Sequence, residues 1–183
     1  MRMLQKYSLI LVLMLLPFML FASGDKEEKS TALETQDWIM AADNWKVNYE
    51  VKGSEIEFTV TSPTTGWVGI GFNPSSRMKD ADYVVGYVKD NTLYVQDSFG
   101  VKSTGIASDE SIGGTDNVRG ISGKEMNGMT TIVFALPLDS NDMYDKKFVL
   151  GQEYTVLLAY GKNDADNFTT GHSRRDKVEV VLK

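Results

Sequence analysis

Apolar residues recur at every second position through most of this chain. In residues 55–60, Ile56, Phe58 and Val60 alternate with Glu55, Glu57 and Thr59, and residues 45–51 alternate likewise. Period two is the repeat of a half-buried strand, whose successive side chains point to opposite faces; an amphipathic helix needs apolar residues three and four apart. Residues 67–72, 82–88, 92–97, 129–136, 154–160 and 177–182 are read as further strands. Turn signals separate several of them: Lys52-Gly53-Ser54, Lys89-Asp90-Asn91 and Asn127-Gly128. Residues 98–126 are rich in glycine and lack a period, so long loops with short pieces of strand or helix are expected there. No long helical stripe follows residue 24. The fold class predicted is all-β, an antiparallel β-sandwich.

The division of the chain follows from its first residues. Arg2 and Lys6 precede an apolar run from Leu9 to Phe21 that only Pro17 interrupts, and Ala22-Ser23-Gly24 supplies small residues ahead of Asp25. Residues 1–24 are therefore read as a signal peptide cleaved after Gly24, with an uncleaved anchor as the less favoured reading. Residues 25–37 are polar and aperiodic, the composition of a flexible tether, and residues 38–183 form a single domain. The protein is expected to be exported, to the periplasm or the medium, with no membrane span after cleavage.

Composition removes many chemistries. The 183 residues contain no cysteine and one histidine, His172. Disulfides, thiolate metal sites, cysteine nucleophiles and covalent c-type haem attachment are excluded, as is a zinc site built from several histidines of one chain. The net charge of −6 lacks the basic excess that neutralises phosphates, so no nucleic-acid partner is expected. Gly69-x-Gly71 has neither the third glycine nor the helix of a dinucleotide fingerprint; these glycines are read as a place where a strand or a flat ligand approaches the backbone. No Gly-x-Ser-x-Gly elbow surrounds a serine that His172 could activate. Asn163-Asp164-Ala165-Asp166-Asn167 is rich in oxygen but lacks the glycine and late glutamate of a calcium loop, so a solvated turn is the preferred reading. Asn167-Phe168-Thr169 matches the glycosylation sequon without further support.

Two residues remain. His172 is the only imidazole. Met78 is an apolar side chain in the otherwise polar run Pro74-Ser75-Ser76-Arg77-Met78-Lys79-Asp80, where it needs something to sit against. Thioether sulfur and imidazole nitrogen are an axial pair that haem iron accepts. By default each is read as a structural residue.

The run Gly66-Trp67-Val68-Gly69-Ile70-Gly71-Phe72-Asn73-Pro74, followed by Met78-Lys79-Asp80-Ala81-Asp82, resembles the DOMON domain family. Asp97-Ser98-Phe99-Gly100, the strand Thr131-Ile132-Val133-Phe134 closed by Pro137-Leu138, Leu158-Ala159-Tyr160 and Gly171-His172-Ser173-Arg174-Arg175 are similar to the same family. The resemblance spans about residues 45–182 and implies an immunoglobulin-like β-sandwich that binds haem or sugar. In the cytochrome branch, a methionine after the W-x-G-x-G-F strand and a histidine in a late H-S-R motif ligate iron. Met78 and His172 stand at those positions, and their joint presence favours that branch. The resemblance thus implies an exported domain carrying one non-covalent haem b. Met78 and His172 would fill both axial positions of its iron. Electron transfer with an unidentified redox partner protein is the expected role, without catalysis at the iron. Arg174, two residues from His172, would share its face if the segment is extended and is read as pairing with a haem propionate; a solvated arginine is an equal reading. The alternative function is a carbohydrate-binding module on the same sandwich, with Trp67, Tyr83 or Tyr87 stacking on sugar rings. A purely structural exported domain is a third.

Overall fold

The computed structural model describes residues 36–39 and 45–183. The stretch read as a signal peptide, and residues 25–35 of that read as a tether, lie outside the described residues. Strand β1 (Gln36–Ile39) pairs with β2 (Lys46–Lys52), so Gln36 and Asp37, in the stretch read as tether, belong to a strand. Among the described residues, no helix is long and apolar enough to cross a membrane.

Local chemistry sets the hairpins. β2 turns through Gly53 into β3 (Glu55–Ser62), and Gly53 takes the left-handed φ of 65° that this tight turn requires. β5 (Asp82–Lys89) and β6 (Thr92–Lys102) join through Asp90-Asn91, both left-handed. β8 (Arg119–Met126) and β9 (Met129–Pro137) join through Asn127-Gly128, again both left-handed. Two positive φ values match the backbone twist to that of the flanking strands, and Asn, Asp and Gly tolerate them best. The three predicted turns are observed.

Adding β4 (Val68–Phe72), β7 (Gly105–Ser108), β10 (Glu153–Tyr160) and β11 (Arg174–Val181) completes two antiparallel sheets. One has the order β1-β2-β3-β9-β8 and the other β11-β10-β4-β5-β6-β7. The single helix among the described residues, α1 (Asp109–Ile112), is one turn long. The fold is the β-sandwich that the period-two pattern predicts. The stretch expected to be irregular, 98–126, contributes the end of β6, all of β7 and β8, and α1. β8 is almost wholly exposed, with Ile121 turned to solvent, so it carries no burial pattern to read.

The main core lies between the sheets. Val47, Tyr49, Ile56, Phe58 and Val60 from one sheet meet Val68, Ile70, Phe72 and Val84 from the other. Phe58 sits 5.2 Å from Phe72 and 5.6 Å from Phe134, and Phe148 closes against Phe72 at 4.9 Å, edge to face. All five residues of β4 are buried, including its glycines. A strand buried on both faces implies a second apolar layer on the outside of its sheet. Trp67, Val85 and Ala165 form that layer, with Tyr87, Ile106, Ala159 and Phe168 packed on it.

Candidate functional site

The outer layer floors a cleft of about 910 Å³, within the roughly 300–1,000 Å³ range of small-molecule and cofactor sites. The register explains the floor. Val68, Ile70 and Phe72 point into the core, so Gly69 and Gly71 face outward; they pair with Ala159 and Leu157 of β10 and with Val85 and Tyr83 of β5. A Cβ at Gly71 would lie 2.2 Å from the Tyr83 ring, so only glycine leaves that ring its place. The glycines mark a close approach, as expected from the sequence.

Two loops complete the walls. Residues 73–80 follow β4 at its Phe72 end, while residues 161–173 follow β10 at Tyr160, which pairs with Val68 at the other end of β4. The loops therefore reach the cleft from opposite ends of a five-residue strand, about 16 Å at roughly 3.3 Å per residue. Met78 comes from the first loop and His172 from the second, and both line the cleft.

The Met78 loop is held by its backbone. Asn73, Arg77 and Asp80 are all left-handed, and the Ser75 N–H donates to the Lys79 carbonyl at 2.9 Å. Asp80 N–H donates to Gly100 O at 2.7 Å, and Gly100 N–H donates to Ala81 O at 2.8 Å. A Cβ on Gly100 would fall 1.8 Å from the Met78 carbonyl oxygen, which belongs to backbone and cannot step aside. Gly100→Ala is therefore expected to push the loop outward and move the Met78 thioether. Met78 should then become more readily oxidised by peroxide, checked by mass spectrometry of the Met78 peptide; unchanged oxidation would show that this contact does not hold the loop.

The His172 loop is pinned by Trp67. The indole Nε1–H donates to the Thr170 carbonyl at 3.0 Å, and Gly161 leaves room for the ring, since a Cβ there would lie 2.6 Å from it. Asn167 Oδ1 accepts from the backbone N–H groups of Thr169 and Thr170, closing the turn. Ser173 N–H donates to Tyr160 O at 2.8 Å. His172 itself is exposed, and among the described residues no hydrogen bond or ion pair engages its imidazole.

Arg174 is placed differently from Met78 and His172. A bend at Ser173 separates His172 from β11, and Arg174 opens that strand opposite Tyr160, whose side chain faces the core side. Arg175, opposite Ala159, lines the cleft, while Arg174 is not among its lining residues. Arg77 and Lys177 add further cations to the lining. The aromatics named for sugar stacking are largely occupied. Trp67 is buried in the second layer, and Tyr83 covers Gly71 with its hydroxyl 3.5 Å from the Met78 carbonyl. Tyr87 stacks on Tyr94 at 5.0 Å and meets Phe168 at 4.9 Å. The oxygen-rich run at 163–167 is a turn scaffold: Asn163 Oδ1 accepts from Thr65 N–H and Asp164 Oδ1 from the Thr65 hydroxyl.

Comparison with known proteins agrees with this architecture. In sequence, the chain is 30% identical over 119 residues to human DBH-like monooxygenase protein 1, covering 65% of this chain and 19% of that protein. It is 28% identical over 130 residues to mouse DBH-like monooxygenase protein 2, covering 70% of this chain and 20% of the other. The chain thus spans about a fifth of the length of these relatives. Among solved structures, it is similar to the cytochrome b domain of pyranose dehydrogenase from Coprinopsis cinerea, with a TM-score of 0.59, 13% identity, and coverage of 80% of this chain and 81% of that one. The cytochrome domain of Myriococcum thermophilum cellobiose dehydrogenase gives 0.57 at 10% identity, covering 81% and 82%. These likenesses concern the fold. The sequence model of the DOMON domain matches residues 41–161, which takes in the glycine strand, the Met78 loop and most of both sheets and stops before His172. With that match over more than half its length, the chain belongs to the DOMON domain family.

Proposed function

We propose that the protein is an exported b-type cytochrome domain that holds one non-covalent haem between Met78 and His172 and carries electrons to or from a redox partner protein. The observation that carries this reading is the convergence of the only histidine and a polar-loop methionine on one apolar cleft from opposite ends of β4. Donors entering from opposite sides are what two axial ligands of one iron require. Membership of the DOMON family and the fold shared with two cytochrome domains support it.

The residues present fit the group. Gly69, Val85, Ile106, Leu157, Ala159 and Phe168 offer an apolar lining for a planar ring. Both donors are uncharged, so neither adds charge to the cleft when it binds. Arg175, which lines the cleft, is the cation proposed to meet the acidic side chains of a haem, in place of Arg174 on the other face of β11. Haem so ligated supplies reversible one-electron exchange, and a Met/His pair raises its potential. If both held the iron, Met78 and His172 would leave it no open position for oxygen or peroxide, which is the basis for an electron carrier with no catalysis at the iron. Export rests on the charged start, the apolar run and Ala22-Ser23-Gly24.

Titrating the purified protein with haem tests the proposal. One equivalent is expected to give a Soret band that shifts on reduction, with low-spin features in both oxidation states. Free-haem absorbance alone, unaltered by excess protein, would overturn it.

A further inference from the structure

The inner face of the six-stranded sheet ends in a group of carboxylates that the cleft does not use. Asp82 opens β5, and Asp97 lies on β6 opposite Val84, so both point between the sheets. Asp145 reaches them from the loop between β9 and β10, and one oxygen from each of the three lies within 4.8 Å of the others. Asp109 and Asp142 form a second such group around the same Asp145.

Acidic side chains often gather at surfaces, where water solvates them. Here burial removes the water: Asp82 and Asp97 are each 2% exposed and Asp109 is 1% exposed. Asp82 accepts one hydrogen bond from Lys146 N–H, and Asp97 Oδ2 accepts one from Asn117 N–H, both at 2.9 Å. Asp97 Oδ1, Asp109 Oδ1 and Asp145 Oδ1 are buried without any hydrogen-bond partner. A buried carboxylate oxygen left unpaired is costly unless something compensates it. No lysine or arginine forms an ion pair with this group among the described residues. Asp142 differs, because both its oxygens accept backbone N–H groups, from Tyr144 and Thr115, so it shapes the loop and is satisfied there.

We propose that Asp82, Asp97 and Asp145, with Asp109 beside them, bind one divalent cation of the calcium type. The donor set is all oxygen, which selects a hard ion over zinc or copper. Carboxylates contributed by two strands, a one-turn helix and a loop suit the six to eight flexible ligands that calcium accepts better than the strict octahedron of magnesium. Burial also pushes the carboxyl of Asp97 up to about 8 and that of Asp109 up to about 7, reflecting like charges gathered away from water. This site is independent of the cleft, so it stands whether or not haem binds there.

The test is a thermal melt and a calorimetric titration of the chelator-treated chain with calcium chloride. One ion per chain is expected. At about a hundred times Kd the melting temperature should rise by roughly 5–10 °C, the shift that ligand linkage gives a domain of this size. Asp97→Asn should weaken calcium binding by about tenfold or more. Asp164→Asn, in the oxygen-rich turn at 163–167, should respond like the parent. If Asp97→Asn fails to fold, Asp82→Asn and Asp145→Asn carry the same expectation. No shift up to about 10 mM calcium, above the Kd range of extracellular modules, would overturn the proposal. So would a response that Asp97→Asn retains or that Asp164→Asn abolishes.

Discussion

Replacing His172 by alanine is expected to abolish tight haem binding while leaving the sandwich intact. It removes the chain's only imidazole, and no second histidine exists to replace it. Losing a hydrogen-bond partner behind a metal ligand typically costs 10–100-fold in affinity, so losing the ligand itself should cost more than about a hundredfold. The fold should be indifferent: His172 is exposed, it makes no hydrogen bond or ion pair among the described residues, and the loop is fixed by Trp67, Asn167 and Ser173. Haem titration followed by Soret absorbance, with far-UV circular dichroism as the control for folding, measures both effects. Parent-like affinity in the variant would mean that His172 is not a ligand and that the cleft holds haem, if at all, in another way.

Met78→Ala should have the opposite profile. His172 remains, so haem should stay bound, but the thioether position opens and the iron becomes five-coordinate or takes water. The reduced variant should bind carbon monoxide strongly where the parent resists it, a change from little signal to a full difference spectrum. Its reduction potential should fall, because a potential-raising ligand has gone. The loop should survive, since it is built from backbone bonds to Gly100 and Ala81 that do not involve the Met78 side chain. Equal carbon monoxide binding by parent and variant would remove Met78 from the iron and take the electron-transfer reading with it.

The fold was legible wherever a strand had one wet face. β2 and β3 alternate cleanly because only their inner faces are buried, and their turn announces itself as Gly53. β8 was illegible because it is exposed almost throughout, its strand character coming from pairing with β9. Met78 and His172 could be singled out by rarity and polar context, yet only the structure shows that both line one cleft. Arg175 was missed for a specific reason. Counting two residues from His172 assumes an extended segment, whereas the bend at Ser173 resets the alternation and brings Arg175 to the cleft. The buried carboxylates left no signal at all, because Asp82, Asp97, Asp109 and Asp145 have no common spacing and are brought together only by the closing of the sandwich.

The doubly buried strand β4 makes its residue count critical. Val68, Ile70 and Phe72 serve the core while Gly69 and Gly71 face outward, Gly69 onto the cleft and Gly71 beneath the Tyr83 ring. Substitutions at the two sets should act separately, the first on stability and the second on which ligand enters. Inserting or deleting a single residue would exchange the sets at once, since a one-residue slip turns every side chain to the other face. Glycines would then hollow the core as large apolar side chains filled the cleft. A change in the length of β4 is therefore expected to cost more than a change of any single side chain in it.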